Sequence, residues 1–337
     1  MKEAMFWEKA KENAVNCDLC PWLCRSIADG KTGFCRVRKN VKGKLYSMVY
    51  GKAVSVAIDP IEKKPLFHFA PGSSCLSIAT VGCNLRCLHC QNWTISQEYG
   101  EVQGEELPPE EIVGMAKRSG VEGIAYTYTE PTIFYEYALD TMKLARKAGL
   151  YNVWVSNGYT MPEPVIRMSK YLDAVNVDIK GNDGFYKKVC MTKGIGPVFD
   201  ALKAYKESGV WTEITNLVIP GYNDSMRDIR QMATWIIKNL GPDTPLHFSA
   251  FFPNYKLNSI GPTPAKTLEK CYAVARKAGL RWVYVGNIHG HEGESTKCWK
   301  CGMDLVRRRG YSIMLQMEKC PECGIKVPIA GKKWVKD

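Results

Sequence analysis

The chain has no run of about 18 apolar residues, so its 337 residues offer no candidate membrane-spanning helix. Its start, MKEAMFWEKAKENAV, lacks the apolar core of a secretory signal and reads as a short amphipathic helix rich in lysine and glutamate. These two absences place the protein in the cytoplasm as an expectation, with no membrane contact. No internal repeat of fixed period and no low-complexity segment is present, which sets aside solenoid and disordered architectures. What remains is 45% hydrophobic and 24% charged, an ordinary globular composition whose length suggests two or three domains.

Against that plain background stand 14 cysteines. In a reducing compartment such thiols are metal ligands or catalytic groups before they are disulfides. Three, Cys75, Cys190 and Cys271, are isolated and read as small buried hydrophobes. The other eleven form three spaced clusters. The net charge of +12 is concentrated at one end: the last 43 residues hold ten Lys or Arg against four Asp or Glu. A basic segment alone points weakly to nucleic acid and more simply to a solvated face.

Three regions separate. Residues 1–70 hold a cysteine cluster and end in a proline-rich connector, DPIEKKPLFHFAPGS. Residues 71–292 alternate short apolar β-type runs (75–82, 123–129, 152–156, 174–180, 212–219, 246–252, 281–286) with amphipathic helical stretches, several of which end on glycine. Residues 293–337 form a compact cysteine-paired tail. Runs apolar on both faces belong to buried parallel strands, and the βα order predicts an α/β fold with a parallel barrel, whole or partial, of the (β/α)6 kind. In such a fold the reactive groups gather at the C-terminal ends of the strands.

Directly after the first of these runs comes GCNLRCLHCQN, with Cys83, Cys87 and Cys90 spaced C-x3-C-x2-C and no cysteine in 91–107. Three thiolates on one loop can each hold one iron of a four-iron cluster and leave the fourth iron open. A structural zinc completed by His89 or His68 is the plainer alternative, but His89 lies inside the triplet and zinc loops draw paired cysteines from two segments. The spacing resembles the radical S-adenosylmethionine (SAM) enzymes. The wider set YTYTEPTIFYEY, SNGY, VNVDIK, LVIPGYND and HFSAFFPNYK is similar to the AmmeMemoRadiSam system radical SAM family, relatives of pyruvate formate-lyase activating enzymes.

That resemblance implies a [4Fe-4S] cluster on Cys83, Cys87 and Cys90 whose open iron is chelated by SAM. One electron would cleave SAM to a 5′-deoxyadenosyl radical that takes hydrogen from a protein or small-molecule substrate. Glu130 matches the glutamate that holds the SAM amino group, although Tyr128 and Thr129 replace the two preceding glycines of the usual motif. Carried over in the same way, Asn157 falls near the ribose, Asp178 and Lys180 at a SAM contact, Pro220-Gly221 and His247 near the adenine. Each has a plain structural reading beside it: helix capping for Glu130, an Asn-Gly turn for Asn157, mutual pairing for Asp178 and Lys180, a core histidine for His247. No catalytic acid or base is nameable.

Two further cysteine groups flank the barrel. Cys298, Cys301, Cys320 and Cys323 follow C-x2-C-x18-C-x2-C with glycine after each pair, a zinc-ribbon pattern closed by four thiolates, with a rubredoxin-like iron site as the alternative. Cys17, Cys20, Cys24 and Cys35 could close a zinc site or a second iron–sulfur site. The resemblance also implies a low-potential donor, a ferredoxin or flavodoxin, and Memo-like and AMMECR-type partners. The competing functions are a glycyl-radical activase, an RNA-modifying radical enzyme and a non-catalytic scaffold; no span is left for a cobalamin domain.

Overall fold

A computed structural model describes residues 1–335; Lys336 and Asp337, the end of the basic tail, lie outside the described residues. The main sheet has eight strands: Ser55–Pro60 (β1), Ser74–Ala79 (β2), Gly123–Tyr126 (β3), Tyr151–Ser156 (β4), Ala174–Asp178 (β5), Trp211–Val218 (β6), Leu246–Ala250 (β7) and Val283–Gly286 (β8). They lie side by side in chain order. From β2 to β8 every neighbour is parallel, which accounts for all seven apolar runs, while β1 is antiparallel to β2. An edge strand not expected from the sequence thus runs up to the connector, which contributes only Asp59 and Pro60 to it. Its mixed sequence, with Ile58 turned out to solvent, carries no buried-strand signature.

Helices at Pro109–Arg118 (α1), Tyr135–Lys147 (α2), Pro162–Ser169 (α3), Gly196–Glu207 (α4), Met226–Asn239 (α5) and Ala265–Ala278 (α6) alternate with the strands. α1 shows the local logic: proline at its start, Glu110 and Glu111 in the first turn, Lys117 and Arg118 in the last. Because strand side chains alternate, the sheet buries both faces. Ile124, Trp154 and Val175 pack with Ile112, Met142 and Val165 of the helices in one cluster. Ala125, Val153 and Ala174 pack in another with Ile61, Leu66 and Phe69, and with Trp334 from the end of the chain. Residues 61–70 and the C-terminal segment therefore plug the strand starts on this face.

The N-terminal residues expected to form a helix are extended instead. Lys2–Glu3 pairs with Lys44–Ser47, and Trp7–Lys9 with Val15–Cys17. Phe6, Glu12 and Asn13 adopt positive φ (55°, 56°, 59°), which a helix forbids. A buried contact fixes this path: Arg38 Nη1 bonds both oxygens of Glu136 on α2 (2.9 and 3.0 Å), and Met5 N donates to the same carboxylate (2.7 Å). Long-range pairing overrides the local helical tendency.

At the other end, Thr296–Lys297, Asp304–Arg309 and Ser312–Gln316 make a small antiparallel sheet. It docks through Arg308, which is buried and donates to the Phe67 carbonyl (2.8 Å) and to Thr296 Oγ1 (2.8 Å). Ala330 bridges Phe69, and Trp334 Nε1 donates to Gly149 O (2.9 Å).

Candidate active site

The strand ends opposite the plug surround a cavity of about 560 Å³. Its wall includes Cys83, Cys87 and Cys90, the ends of β3 to β8, Lys63 and Lys64 after β1, and the hairpin tip Gly310–Tyr311 of the C-terminal segment. All five polar residues expected at the site, Glu130, Asn157, Asp178, Lys180 and His247, line this one cavity. Sequence-distant segments meet there because each leaves the same end of a parallel strand.

The cysteine loop is held from several sides. Leu85 N donates to Cys83 Sγ (3.3 Å), Asn157 Nδ2 approaches the same sulfur (3.7 Å), and Cys90 Sγ meets Ser96 Oγ (3.2 Å). Burial pushes the Cys83 and Cys90 thiols up; Cys87 is raised first by a bond to Cys190, then by burial. Metal binding here must therefore displace protons. All three cysteines line the cavity, and their sulfurs do not all lie within 4.8 Å of one another. Both nitrogens of His68 are already engaged, by Pro328 O and by the Tyr284 hydroxyl, so it is not free to complete a zinc site. His89 is buried in the wall with Nδ1 unpartnered, its pKa held down to about 3 by burial and then by Lys180.

Glu130 is committed to the protein. Its carboxylate accepts from Thr132 N (3.0 Å), Thr132 Oγ1 (2.6 Å), Ser156 Oγ (2.9 Å) and Asn157 N (2.8 Å). It caps the turn that leads into α2 and clamps the end of β4. Asn157 forms the turn expected of Asn-Gly, its Oδ1 accepting from Tyr159 N (2.8 Å), while its Nδ2 reaches Asn84 Oδ1 (2.9 Å) on the cysteine loop. Asp178 and Lys180 pair with each other at 2.7 Å, half in view of the cavity. His247 Nε2 donates to Glu213 Oε2 (2.8 Å), and its ring stacks on Tyr284.

Several residues in the wall or behind it carry no site role that the motifs alone assign. Tyr128, where the related motif has glycine, keeps the left-handed backbone a glycine would supply (φ 63°). Asn92 Nδ2 holds its carbonyl (2.7 Å), and its hydroxyl donates to Asp59. Asp59 also takes Lys63 Nζ (2.6 Å), Lys64 Nζ (2.7 Å) and Ser77 Oγ (2.7 Å). Burial would raise its pKa, but these donors hold it well below the carboxylate range. Glu213 is a second hub: besides His247 it accepts from Phe67 N (3.0 Å), His68 N (2.8 Å) and Trp211 Nε1 (3.0 Å).

Of the flanking cysteine groups, the C-terminal four are drawn together: Cys298–Cys323 3.3 Å, Cys301–Cys320 3.5 Å, Cys301–Cys323 3.7 Å. Four thiolates about 2.3 Å from one zinc stand roughly 3.8 Å apart, so the set fits a single ion. The two loops are near copies. Cys298 N and Cys320 N bond to Met303 O and Ile325 O, and Gly302 N and Gly324 N turn back to Cys298 O and Cys320 O at φ 82° and 71°. Among the described residues this is the one group of three or more Cys, His, Asp or Glu whose ligand atoms all lie within 4.8 Å. Cys17, Cys20, Cys24 and Cys35 are neighbours, with Cys17 opposite Cys24 across a strand pair, but stand wider.

Residues 77–233 match the family model of the radical SAM superfamily. The chain is 48% identical over 335 residues to an uncharacterised protein of Methanocaldococcus jannaschii, covering 98% of this chain and 99% of that one. It is 31% identical over 168 residues to the pyruvate formate-lyase-activating enzyme of Clostridium pasteurianum, 47% of this chain and 67% of that enzyme. Streptococcus suis SuiB, solved with S-adenosylmethionine bound, shares the fold at TM-score 0.50 and 13% identity, over 62% of this chain and 49% of SuiB. The chain belongs to the radical SAM superfamily and is an enzyme of the radical SAM type, with pyruvate formate-lyase-activating enzymes among its relatives.

Proposed function

We propose that Cys83, Cys87 and Cys90 hold a [4Fe-4S] cluster whose open iron binds SAM in the cavity at the strand ends of a partial (β/α) barrel. The reading is carried by one observation: three thiols of a single loop face a cavity ringed by charged and hydrogen-bonding groups from six parallel strands. The donor set fits the group, since the Leu85 amide already points at the Cys83 sulfur as a thiolate requires. When bound, the cluster supplies one electron that splits SAM into methionine and a 5′-deoxyadenosyl radical able to take hydrogen from a protein or small-molecule substrate.

The chain's own part is positioning. Glu130 fixes Asn157 against the cysteine loop, and the Asp178–Lys180 pair offers both charges to the amino and carboxylate ends of the ligand by opening. His247, oriented by Glu213, borders the adenine end, whereas Pro220-Gly221, expected there, is not part of the cavity lining. The plug at the strand starts excludes water from below. Zinc in the C-terminal ribbon keeps the hairpin wall in place. Within the superfamily we assign the chain to the AmmeMemoRadiSam branch, in the cytoplasm, with a ferredoxin or flavodoxin as donor and Memo-like and AMMECR-type proteins as partners. Likeness to pyruvate formate-lyase-activating enzymes supports one second reading, installation of a glycyl radical on a partner enzyme.

Anaerobically reconstituted protein given SAM and dithionite should release 5′-deoxyadenosine, and Cys87→Ala should abolish it. Zinc alone at the triplet, or turnover retained in Cys87→Ala, would overturn the assignment. A glycyl radical signal on a co-expressed partner would select the second reading.

A further inference from the structure

We propose that Cys17, Cys20, Cys24 and Cys35 hold a second iron–sulfur cluster, and that its task is to pass the electron to the cluster on Cys83, Cys87 and Cys90; this rests on the radical SAM reading of the triplet. Two observations carry it. The first is thiol spacing. The C-terminal four close to zinc-like distances, whereas the N-terminal four are mutual neighbours that stay wider, as the triplet does. Thiolates bound to separate irons stand farther apart than thiolates sharing one ion.

The second is how the two cysteine loops interlock. Trp22 Nε1 donates to Asn84 O (2.6 Å), one residue from Cys83. Arg86 Nη2 donates to Phe34 O (2.6 Å), one residue from Cys35, while its Nη1 donates to Cys83 O (2.7 Å). Phe34 lies between the Trp22 ring (3.9 Å) and the Arg86 guanidinium (4.4 Å). Gly82 packs so closely on the Cys35 carbonyl that an added Cβ would lie 3.3 Å from it. A single arginine thus spans from one cysteine loop to the other, between two groups that become anionic when loaded. These contacts hold the two cysteine loops side by side, the proximity that electron transfer between their clusters needs.

The outer side fits electron entry. Cys20 and Cys24 are half-buried where Cys17 and Cys35 are buried. Lys193, whose Nζ lies 3.4 Å from Trp22 O, is an exposed cation suited to an acidic redox protein, while Arg25, next to Cys24, is exposed but paired with Asp18 (2.6 Å). In the balanced step a reduced flavodoxin loses one electron, the outer cluster takes and loses it, the inner cluster takes and loses it, and the C5′–S bond of SAM breaks.

The test uses the anaerobically reconstituted full chain. Wild type should carry about eight irons and eight sulfides, and SAM should perturb the Mössbauer signal of only one of two clusters. Cys83→Ala/Cys87→Ala/Cys90→Ala should keep about four irons and a reducible signal. In Cys20→Ser/Cys24→Ser, dithionite-driven cleavage of SAM should persist, whereas cleavage driven by reduced flavodoxin should fall by about tenfold or more. Zinc or no metal in the triple variant, or about four irons in wild type that all respond to SAM, overturns the second cluster. Unchanged flavodoxin-driven cleavage in the double variant overturns the relay. Absence of 5′-deoxyadenosine from wild type would instead sink the radical SAM reading, and the iron count of the triple variant still decides the outer site.

Discussion

Glu130 decides between a carboxylate that serves the ligand and one that serves the scaffold. Four donors occupy its two oxygens, two of them backbone N–H groups, Thr132 N and Asn157 N. The hydroxyls of Thr132 and Ser156 can rotate to other acceptors; the two amides cannot. Glu130→Ala therefore leaves two buried N–H groups unpaired, at about 1–3 kcal/mol each, or roughly 2–6 kcal/mol together. In Glu130→Gln the amide faces the Asn157 N–H, donor against donor, so one group is orphaned and the cost is about 1–3 kcal/mol. At about 2 °C per kcal/mol for a chain of this size, apparent unfolding should fall by roughly 2–6 °C for Gln and 4–12 °C for Ala. The measurement is anaerobic thermal unfolding of cluster-loaded protein, paired with SAM binding. SAM affinity should fall alongside stability, because the carboxylate acts through Asn157 and the turn. If Glu130→Gln unfolds within a degree of wild type yet no longer binds SAM, the carboxylate contacts the ligand and the scaffold reading is wrong.

With the proposed metal bound at the C-terminal cysteines, chelation should raise amide exchange across 304–316 and also in 61–70, because Arg308 ties the hairpin to the Phe67 carbonyl; exchange confined to the cysteine loops would refute the wall. Arg308→Ala leaves that buried carbonyl without its donor, at about 1–3 kcal/mol, and should speed limited proteolysis of the C-terminal segment more than of the barrel helices. His68 is neutral in the fold, its pKa held down to about 4 by burial, so stability should be full above about pH 6.5 and fall by up to 1.36 kcal/mol per pH unit towards pH 4. Urea titrations of His68→Asn across pH 5–7 should lose that slope. An equal slope in the variant would assign it elsewhere.

The parallel strands were legible because each is an apolar run buried on both faces, a property of five to eight adjacent residues. The triplet and the C-terminal pairs were legible because cysteine spacing within one loop is local. What escaped was everything set by contacts far apart in the chain. β1 holds its place by pairing with β2 and by turning Asp59 inward to Tyr128, residues that no window brings together. The first fifteen residues have a helical composition, yet Arg38 and Glu136, 98 positions apart, pin them as extended chain. Glu213 looks like one polar residue in a strand; only the fold reveals four donors converging on it. Cys190 reads as a small buried hydrophobe and is buried, but its neighbour is Cys87.

Tyr128 shows how a departure from a family pattern can be absorbed. A glycine at that position would take φ 63° freely, while a tyrosine there costs about 1–3 kcal/mol. Two side chains oppose that cost, Asn92 on the carbonyl and Asp59 on the hydroxyl, and each comes from a segment that borders the cavity. The backbone path next to Glu130 is thereby kept, and the wall gains an aromatic ring with the Lys64 ammonium 4.6 Å from its centre. Tyr128→Gly should therefore leave SAM binding near wild type, since the path survives, while opening the wall to solvent and leaving Lys64 paired with Asp59 alone. If the glycine variant loses SAM affinity as severely as a Glu130 variant, the tyrosine itself reaches the ligand and the account of a preserved backbone fails.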